Sequence, residues 1–531
     1  MSLSRTETRR ATSASTLRRP VAPAASFANV LSDLARKDGD TANTHTTWTR
    51  PPLPVPVEDK PSITFQKIDI RDGNDKFGAS EIYLFGATKA GNSLLARVRG
   101  FDHYFYYPAP AGITEHDLNP LRERLNELPT LRPQSIHEGV PAVSNIELED
   151  QCTAADGESR PFLKVSLRDH RHAQSIKDIV LIYPIHVLAG GRLQYRDLFS
   201  VPELSYEATV PYPLRFMVDH EVTAMTWLKI PIGKYERIST QDSISHCQLE
   251  VSVRTEDILI CDTVDNREIY APLRILSFDI ETNVPPRGFP TARRQSVLQI
   301  GNMISIYADP LIRAVFTLGT CSPINGAQVL SFQSESDKLT AWQKFFLEVD
   351  PDIVIGYNIT QFDIAYLLNR AQILNLTNFP YLGRIKSIPQ RLDGWRPSFL
   401  KCPGYDGRLI LDVFHHIREH YPGLPGEGAY KLDAVSSRFL RQRKEDIHYK
   451  DIPLLQNGNA NSRRDLAIYC LKDVYLPLLL LSKLECFEVE VKEAKAAYVS
   501  FNTMREKRLL KPVARRCLDA IEGDYIVADD P

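Results

Sequence analysis

The pattern of hydrophobic and polar positions changes twice along the chain. Residues 1–60 lack apolar periodicity and end in a proline-rich run, PPLPVPVEDKP, which is typical of an extended linker. Short alternating runs such as EIYLFGAT and SLLARVRG, separated by turn residues, follow from about residue 65 to residue 270. After residue 271, continuous apolar runs alternate with amphipathic ones. The pattern predicts a disordered basic tail, a mostly β domain and an α/β domain.

The α/β region begins with LRILSFDIE, whose apolar start suits a strand buried on both faces. Further strands are predicted over VLQIGNMISIY, RAVFTLG and DIVIGYN, and helices over residues 334–349, FDIAYLLNRAQIL and residues 463–483. This order predicts a mixed central sheet of the ribonuclease H-like kind. The expected division of the chain is a tail over 1–60, a β-rich domain over 61–270, the α/β domain over 271–490 and the start of a further region over 491–531.

Composition narrows the class of protein. With 531 residues and 43% hydrophobic content, the chain is long enough for about three domains. Its formal net charge is -2, so any nucleic-acid binding has to come from local basic surface. The eight cysteines contain no C-x-x-C pair, which argues against zinc knuckles and disulfide frameworks. No run approaches the roughly 20 apolar residues of a membrane span, so no membrane partner is expected.

The first 20 residues, MSLSRTETRRATSASTLRRP, contain arginine and serine but no apolar core, which excludes a secretory signal. A basic run of this kind is typical of a nuclear localisation signal. We therefore expect a nuclear protein, with a mitochondrial transit peptide as the alternative.

Asp279 and Glu281 lie two residues apart on the first strand of the α/β region. Because side chains on a strand alternate with a period of two, both carboxylates are predicted on one face at the end of the apolar run. Ligands of open α/β sheets commonly sit beyond the carboxyl ends of strands, so a metal site is expected here. The alternative is that the two acids are simply solvated.

Two later carboxylates are predicted at the same edge of the sheet. Asp363 begins a helix directly after a buried strand, although a helix-capping acid would occupy the same position. Tyr469 and Asp473 are one helical turn apart, on a stripe with Leu466 and Cys470, so Asp473 is predicted to face inward. A buried ionised carboxylate needs a cation or many hydrogen bonds, and a structural salt bridge is the alternative.

The four carboxylates are hard oxygen ligands, which predicts two Mg²⁺ or Mn²⁺ ions and no zinc. Two such cations activate a water and stabilise a leaving 3′ oxygen during displacement at phosphorus. Tyr469 is placed to orient that water through its hydroxyl, although an ordinary core tyrosine fits the position as well. Asn358 and Phe362 are candidate contacts to a terminal nucleotide, by hydrogen bonding and stacking, and Phe362 fits a core position equally.

Three runs in order, FDIET, GYNITQFDIAYLLNRA and YCLKDVYLPL, resemble the three exonuclease motifs of the family B DNA polymerases. Similar flanking segments extend the resemblance over about residues 65–484. The resemblance implies a 3′-to-5′ proofreading exonuclease of DNA replication, acting on a single-stranded or frayed DNA 3′ end with replication accessory subunits as partners. It places the water-orienting role on Tyr469. It places the metal ions on Asp279, Glu281, Asp363 and Asp473.

The chain also departs from the family pattern. No run resembles the palm motifs D-x-x-S-L-Y-P-S and Y-G-D-T-D-S, so we expect no polymerisation from these 531 residues. The cysteine-rich tail of the family is absent too. A fragment of a full DNA-directed DNA polymerase is one interpretation of the chain. Asp412 matches a family aspartate to which we assign no role. A noncatalytic nucleic-acid-binding remnant, with pairs such as Arg293 and Arg294 or Arg463 and Arg464 on phosphates, and an RNA-trimming enzyme are the alternatives.

Overall fold

The computed structural model describes residues 26–37, 48–54, 61–127, 141–153, 157–182, 185–188, 192–195, 205–261, 270–306, 309–389, 406–445, 447–506 and 510–529. Helices alternate with strands mainly in the second half of the chain. The α-helices are α1 (Phe27–Lys37), α2 (Glu115–Glu127), α3 (Ala173–Ile182), α4 (Tyr212–Asp219), α5 (Glu335–Val349), α6 (Asp363–Ile373), α7 (Val413–His420), α8 (Leu432–Leu440), α9 (Ile452–Asn457), α10 (Ala460–Lys483), α11 (Cys486–Ala496), α12 (Phe501–Glu506) and α13 (Leu510–Gly523). None of these helices is long and apolar enough to cross a membrane.

Strands dominate the first half. They are β1 (Ile63–Asn74), β2 (Ser80–Thr88), β3 (Ser93–Arg99), β4 (His103–Pro108), β5 (Val143–Gln151), β6 (Arg160–Leu167), β7 (Ile185–Leu188), β8 (Arg192–Tyr195), β9 (Trp227–Ile230), β10 (Tyr235–Arg237), β11 (Leu249–Arg254), β12 (Leu259–Ile260), β13 (Arg274–Thr282), β14 (Val297–Ile306), β15 (Asp309–Leu318), β16 (Gln328–Phe332), β17 (Ile353–Gly356) and β18 (Leu409–Asp412). A seven-stranded sheet has the order β10-β11-β3-β2-β1-β9-β12, and smaller sheets join β4-β6-β5 and β7-β8.

The sheet that positions the candidate site has six strands in the order β16-β15-β14-β13-β17-β18. Strand β13 lies near its centre, antiparallel to β14 and parallel to β17, and β17 is parallel to β18. The predicted mixed central sheet is therefore confirmed. The pattern missed β16 and β18, which are only five and four residues long.

Alternate residues of β13 contribute to different layers. Leu276, Phe278 and Ile280 belong to an apolar cluster shared with Leu339 and Trp342 of α5. On the opposite face, the Ser277 hydroxyl donates a 2.8 Å hydrogen bond to a backbone carbonyl of α10. The sheet is thus covered on both faces, as expected for strands with continuous apolar runs.

Helix α10 lies very close to the sheet at Gly301 on β14. A Cβ atom at Gly301 would stand 2.9 Å from Cys470 Sγ and 2.9 Å from a methyl group of Val474, which is closer than carbon atoms pack. The missing side chain lets α10 approach the strand pair β13–β14. This close approach brings the inner face of α10 against the end of β13.

Residues 48–54 are tied to the α/β region by buried charges. Arg50 Nε lies 2.8 Å from Asp350 Oδ2, and another Arg50 nitrogen lies 2.7 Å from Asp352 Oδ1. Arg384 bridges the same two acids, at 3.0 and 2.7 Å, and Arg408 contacts Asp350 at 2.6 Å. Burial alone would raise the pKa of Asp350, but the three guanidinium groups outweigh it and hold that pKa far below its usual range.

The prediction of a disordered tail over residues 1–60 is wrong for residues 27–37. These residues form α1, and Phe27 and Leu31 are fully buried. The Phe27 ring lies 5.3 Å from the Tyr475 ring, and the Phe27 N–H donates to Glu445 Oε1 at 2.9 Å. An isolated helix of this length is marginal in water, so packing on α10 supplies the stability that the local pattern lacks. Most of the remaining tail lies outside the described residues.

The last described residues return to the β-rich half of the chain. The Asp529 carboxylate accepts hydrogen bonds from the Ser205 hydroxyl at 2.7 Å, from the Ala208 N–H at 3.0 Å and from the Thr209 hydroxyl at 2.7 Å. Helix α13 also packs near α4, where Ala514 and its neighbours share an apolar cluster. The segment that follows the α/β region is thus held against residues of the β-rich half.

Candidate active site

The two acids of β13 face α10. Asp279 is half-buried and Glu281 is buried, and the Cys470 thiol of α10 and both carboxylates offer ligand atoms that lie within 4.8 Å of one another. The Cys470 S–H also approaches the Asp279 carbonyl oxygen at 3.8 Å. The strand period of two therefore directs both acids to one face, and the alternative that they are simply solvated does not hold.

Asp363 reaches the same strand from α6. It is the first residue of that helix and is almost completely buried. Its Oδ1 accepts a 3.0 Å hydrogen bond from the Ile280 N–H, which lies between Asp279 and Glu281 in the chain. This bond fixes the carboxylate beside β13, which an acid serving only its own helix terminus would not require.

Asp473 faces inward from α10, as the helical spacing predicts, and is buried. It forms an ion pair with Lys444, whose Nζ also lies 5.0 Å from the centre of the Tyr469 ring. A salt bridge therefore accompanies Asp473, as the alternative interpretation expects. It satisfies only one of the two carboxylate oxygens, because Asp473 Oδ1 is buried without a hydrogen-bond partner among the described residues.

The four carboxylates disturb one another's ionisation. Burial and the nearby Asp473 charge raise the pKa of Asp279 to about 7, while Lys444 opposes the shift. Burial, followed by the charges of Asp279 and Asp473, raises the pKa of Glu281 well above its usual range. Burial and Asp279 raise the pKa of Asp363 in the same direction. Burial also raises the pKa of Asp473, against the lowering effect of Lys444. Such mutual repulsion is typical of a site built for positive charge.

Cys470 contributes a thiol sulfur, which is a soft ligand atom, to this cluster, and the sequence pattern indicated no role for it. Burial and then the charges of Glu281, Asp279 and Asp473 raise the pKa of its thiol well above the ordinary value. A thiol must lose its proton to bind a metal well, so the surroundings oppose ligation by Cys470. The ligands that remain are carboxylate oxygens, which suit hard divalent cations.

The donor set and its contacts fit such cations. Asp473 Oδ1 is a buried acceptor without a hydrogen-bond partner among the described residues. Burying an unsatisfied neutral acceptor costs about 1–3 kcal/mol, and burying an unsatisfied charged oxygen costs more. Three further acids nearby have raised pKa values. A divalent cation would satisfy the free oxygen and reverse the repulsion that raises the other pKa values.

Asp412 organises the loop beside Asp363. Its Oδ1 accepts from the Asn358 N–H at 2.8 Å, and its Oδ2 accepts from the Thr360 N–H at 3.0 Å and the Thr360 hydroxyl at 2.7 Å. The same carboxylate caps α7 by accepting from the Phe414 N–H at 3.1 Å. Asp412 is thus a positioning residue, a role that its place in the sequence did not reveal.

Asn358 and Phe362 lie in that loop with different surroundings. Asn358 has a left-handed backbone with φ of 66°, and its side-chain oxygen is buried without a partner among the described residues. Phe362 is half-buried, contacts the apolar cluster of α5 and α6, and lies 5.4 Å from the Tyr366 ring. Asn358 therefore keeps a free acceptor at the site, whereas Phe362 packs partly as a core residue.

The arginine pairs also differ. Arg293 and Arg294 are exposed on the loop between β13 and β14. Arg463 instead donates to the Gln456 carbonyl at 3.0 Å and to the Thr320 hydroxyl at 2.9 Å, so it supports the packing of α10. Only the loop pair presents both guanidinium groups to solvent.

Comparison with known families agrees with this geometry. Residues 204–435 match the family described as DNA polymerase family B, exonuclease domain. By this domain the chain belongs to the family B DNA polymerases. The motif flanks, such as KLDAVSSRFL and LQNGNANSRRDLAIYCLKD, also resemble the delta catalytic subunit within this family.

Relatives support that subfamily. The chain is 36% identical over 495 residues to the DNA polymerase delta catalytic subunit of Schizosaccharomyces pombe, covering 90% of this chain and 44% of that protein. It is 35% identical over 507 residues to the Candida albicans protein of the same name, covering 93% and 45%. The chain thus spans less than half the length of these relatives.

A solved family B DNA polymerase from the archaeon Pyrobaculum calidifontis has a similar fold. The TM-score is 0.60 at 20% identity, and the likeness covers 87% of this chain and 51% of the archaeal one. At this identity the comparison supports the fold class alone. The predicted ribonuclease H-like exonuclease fold, preceded by a β-rich region, is confirmed.

Proposed function

We propose that this family B chain is a 3′-to-5′ DNA exonuclease of the proofreading type that depends on two Mg²⁺ or Mn²⁺ ions. The observation that carries the proposal is the convergence of four acids from three elements, with raised pKa values for all four. Strand β13 supplies two of them, and α6 and α10 supply one each. One lysine offsets only part of this charge, and buried acids at this density are tolerated only when protons or further cations neutralise the rest.

Each residue of the site has its own proposed role. Asp279, Glu281, Asp363 and Asp473 would hold the two cations, which when bound supply a nucleophilic water and stabilise the charge of the leaving 3′ oxygen. The Tyr469 hydroxyl orients the attacking water from one turn before Asp473. Its pKa is raised above the ordinary value by burial and by the Asp473 charge, so the hydroxyl keeps its proton and can donate a hydrogen bond. Lys444 offsets part of the negative charge around Asp473.

The proposed substrate is a single-stranded or frayed DNA 3′ end. The unpaired Asn358 oxygen offers a hydrogen-bond acceptor in the loop that precedes Asp363, and we assign Asn358 and Phe362 to the terminal nucleotide. DNA is favoured over RNA because the relatives are named DNA polymerases. Parallel digestion of matched DNA and RNA oligonucleotides tests this preference. Faster cleavage of RNA would exclude it.

The wider setting is proposed with the function. We assign the β-rich domain to residues 61–270, the exonuclease domain to 271–490 and the start of the polymerase region to 491–531. We place the protein in the nucleus, in DNA replication, with replication accessory subunits as partners. We propose no polymerisation by these 531 residues, because they contain no run that resembles the palm motifs.

The direct test is digestion of a 3′-labelled oligonucleotide by the full chain, with Mg²⁺ and without it. We expect digestion that requires the cation and is lost in Asp279→Ala, with Asp465→Ala as the control. Asp465 lies on the same helix as Asp473 but is exposed. Equal digestion by the wild type and Asp279→Ala would exclude the exonuclease proposal.

A noncatalytic DNA-binding role is the second candidate. The loop between β13 and β14 exposes Arg293 and Arg294 together with Phe289, whose surface is 91% exposed. Cations and an aromatic ring in one loop suit contact with single-stranded nucleic acid. Salt-sensitive DNA binding without any Mg²⁺-dependent cleavage would favour this role over the exonuclease.

A further inference from the structure

A second group of metal-ligating side chains lies outside the carboxylate site, between α7 and α11. His416 and His420 are one turn apart on α7, and Glu490 of α11 faces them. Each of the three residues offers a ligand atom, and these atoms all lie within 4.8 Å of one another. Two histidines at this helical spacing present their rings on the same side of a helix, which is a common arrangement for binding zinc.

The group is enclosed and incompletely satisfied. The His416 side chain is 1% exposed and that of Glu490 is 3% exposed, while His420 is 20% exposed. His416 Nδ1 lies 2.8 Å from Glu490 Oε1. The Nε2 atoms of both histidines are buried without a hydrogen-bond partner among the described residues. Buried imidazole nitrogens without a hydrogen-bond partner are unfavourable unless something binds there.

The distances suit a tetrahedral cation. Zinc binds imidazole nitrogen and carboxylate oxygen at about 2.0–2.2 Å, so tetrahedral ligand atoms stand about 3.3 Å apart. Glu490 Oε1 is 2.8 Å from His416 Nδ1 and 3.8 Å from His420 Nε2. The two separations lie on either side of the required value. Zinc binding would require the longer separation to close, and the shorter one to open, by about 0.5 Å each.

A further carboxylate supports one of the rings. Glu493 lies one turn beyond Glu490 on α11, and its Oε1 is 3.7 Å from His420 Nδ1. If His420 bound a cation through Nε2, its Nδ1–H would point toward Glu493. Histidine ligands of zinc usually donate their second N–H to such a group, which fixes the ring.

We propose that His416, His420 and Glu490 bind one Zn²⁺ ion that joins α7 to α11. The site is separate from the proposed nuclease centre and departs from the expectation of no zinc, which rested on the cysteines and the four acids. The run HIREH also has the pattern of a zinc-peptidase helix. Glu419, the acid of that pattern, is exposed, so the proposed role is structural rather than hydrolytic.

A Zn²⁺ ion at this site would help α7 to hold the loop of Asn358 and Thr360 in place. This helix begins directly after Asp412, which holds the backbone of Asn358 and Thr360. Helix α11 follows α10, which carries Asp473. A cation between α7 and α11 would fix two helices whose preceding residues belong to the candidate active site.

The test is zinc titration of the full chain against a chromophoric chelator, after removal of bound metal. We expect one tightly bound Zn²⁺ equivalent in the wild type and at least about tenfold weaker binding in His416→Gln and in His420→Gln. Glu419→Gln is the matched control on the same helix and should bind zinc like the wild type. Asp279→Asn should also keep the equivalent, which separates it from the carboxylate site.

Thermal unfolding provides the second readout. Zinc should raise the melting temperature of the wild type and of Glu419→Gln but leave that of His420→Gln unchanged, because a ligand stabilises only the fold that binds it. His420 is partly exposed, so its substitution tests the site even if His416→Gln fails to fold. No tight zinc equivalent in the wild type, or equal zinc affinity in the wild type and His420→Gln, would overturn the proposal.

Discussion

Lys444 forms an ion pair with Asp473 from the loop between α8 and α9. Burial would lower the pKa of Lys444, but the charge of Asp473 and the Tyr469 hydroxyl outweigh it and raise that pKa, so the lysine stays charged. It lowers the pKa of Asp473 and of Asp279 in return. The positive charge of Lys444 therefore lowers the pKa values of two proposed metal ligands.

Replacing this lysine should move the pH dependence of cleavage. In Lys444→Met the pKa values of Asp473 and Asp279 rise, so the acidic limb of the rate profile should shift to higher pH by about one unit. Lys444→Arg should stay near the wild type. Lys450→Met, at an exposed lysine six residues on, is the control. The measurement is the initial digestion rate across pH at fixed Mg²⁺, and an unmoved acidic limb in Lys444→Met would contradict the ion pair's role.

The stability of the metal-free protein should fall as pH rises. Asp279 has a folded-state pKa of about 7, above its unfolded value, so its proton is held more tightly in the fold. Its contribution is fully present below the unfolded pKa and is lost as pH rises through about 7. We expect the melting temperature to drop between about pH 4 and pH 7 in the presence of chelator.

Asp279→Asn should reduce that drop, because the neutral amide removes a charge that repels Asp473 at high pH. Mn²⁺ should restore the melting temperature of the wild type at high pH and restore the variant less. Asp465→Asn serves as the control, since its carboxylate is exposed. A variant less stable than the wild type at every pH would show that Asp279 is structural instead.

The Tyr469 hydroxyl should affect rate more than metal binding. Tyr469→Phe keeps the buried ring and removes the group that orients water, so the single-turnover rate should fall by about 100-fold, within the range for lost proton-transfer and orienting groups. Mn²⁺ affinity should change little. Tyr449→Phe, on an exposed ring, is the matched control. Loss of Mn²⁺ binding together with rate would refute the orienting role.

Asp412→Ala should loosen the loop that carries Asn358. The change leaves three backbone N–H groups and the Thr360 hydroxyl without their acceptor, at about 3 kcal/mol in total. The melting temperature should fall by about 2–4 °C for each kcal/mol, and the KM for the oligonucleotide should rise. Asp451→Ala is the control, because Asp451 precedes α9 without a side-chain cap bond. An unchanged melting temperature in Asp412→Ala would contradict this account.

Local periodicity predicted what depends on local geometry. The strand period placed Asp279 and Glu281 on one face, and the helical period turned Asp473 inward beside Cys470. Lys444 escaped prediction because a loop has no period, and its contact with Asp473 exists only after α10 has packed on the sheet.

The absence of a local sequence signal also explains the errors in the predicted fold. Strand β18 was not predicted, and the hydrogen bonds from Asp412 to the Asn358 loop join segments 54 positions apart, which no local pattern indicates. Helix α1 was predicted as disordered because its apolar positions gain their stability from α10, far along the chain. Contacts between distant segments decided each of these cases.

The ion pairs of Arg50 have a consequence for isolating the α/β region. A graft of residues 271–490 alone would remove Arg50 from Asp350 and Asp352, and would expose the surface of α10 that receives Phe27. We therefore expect residues 271–490 alone to be less stable than the full chain, because buried acids lose part of their ion pairing and apolar surface is exposed.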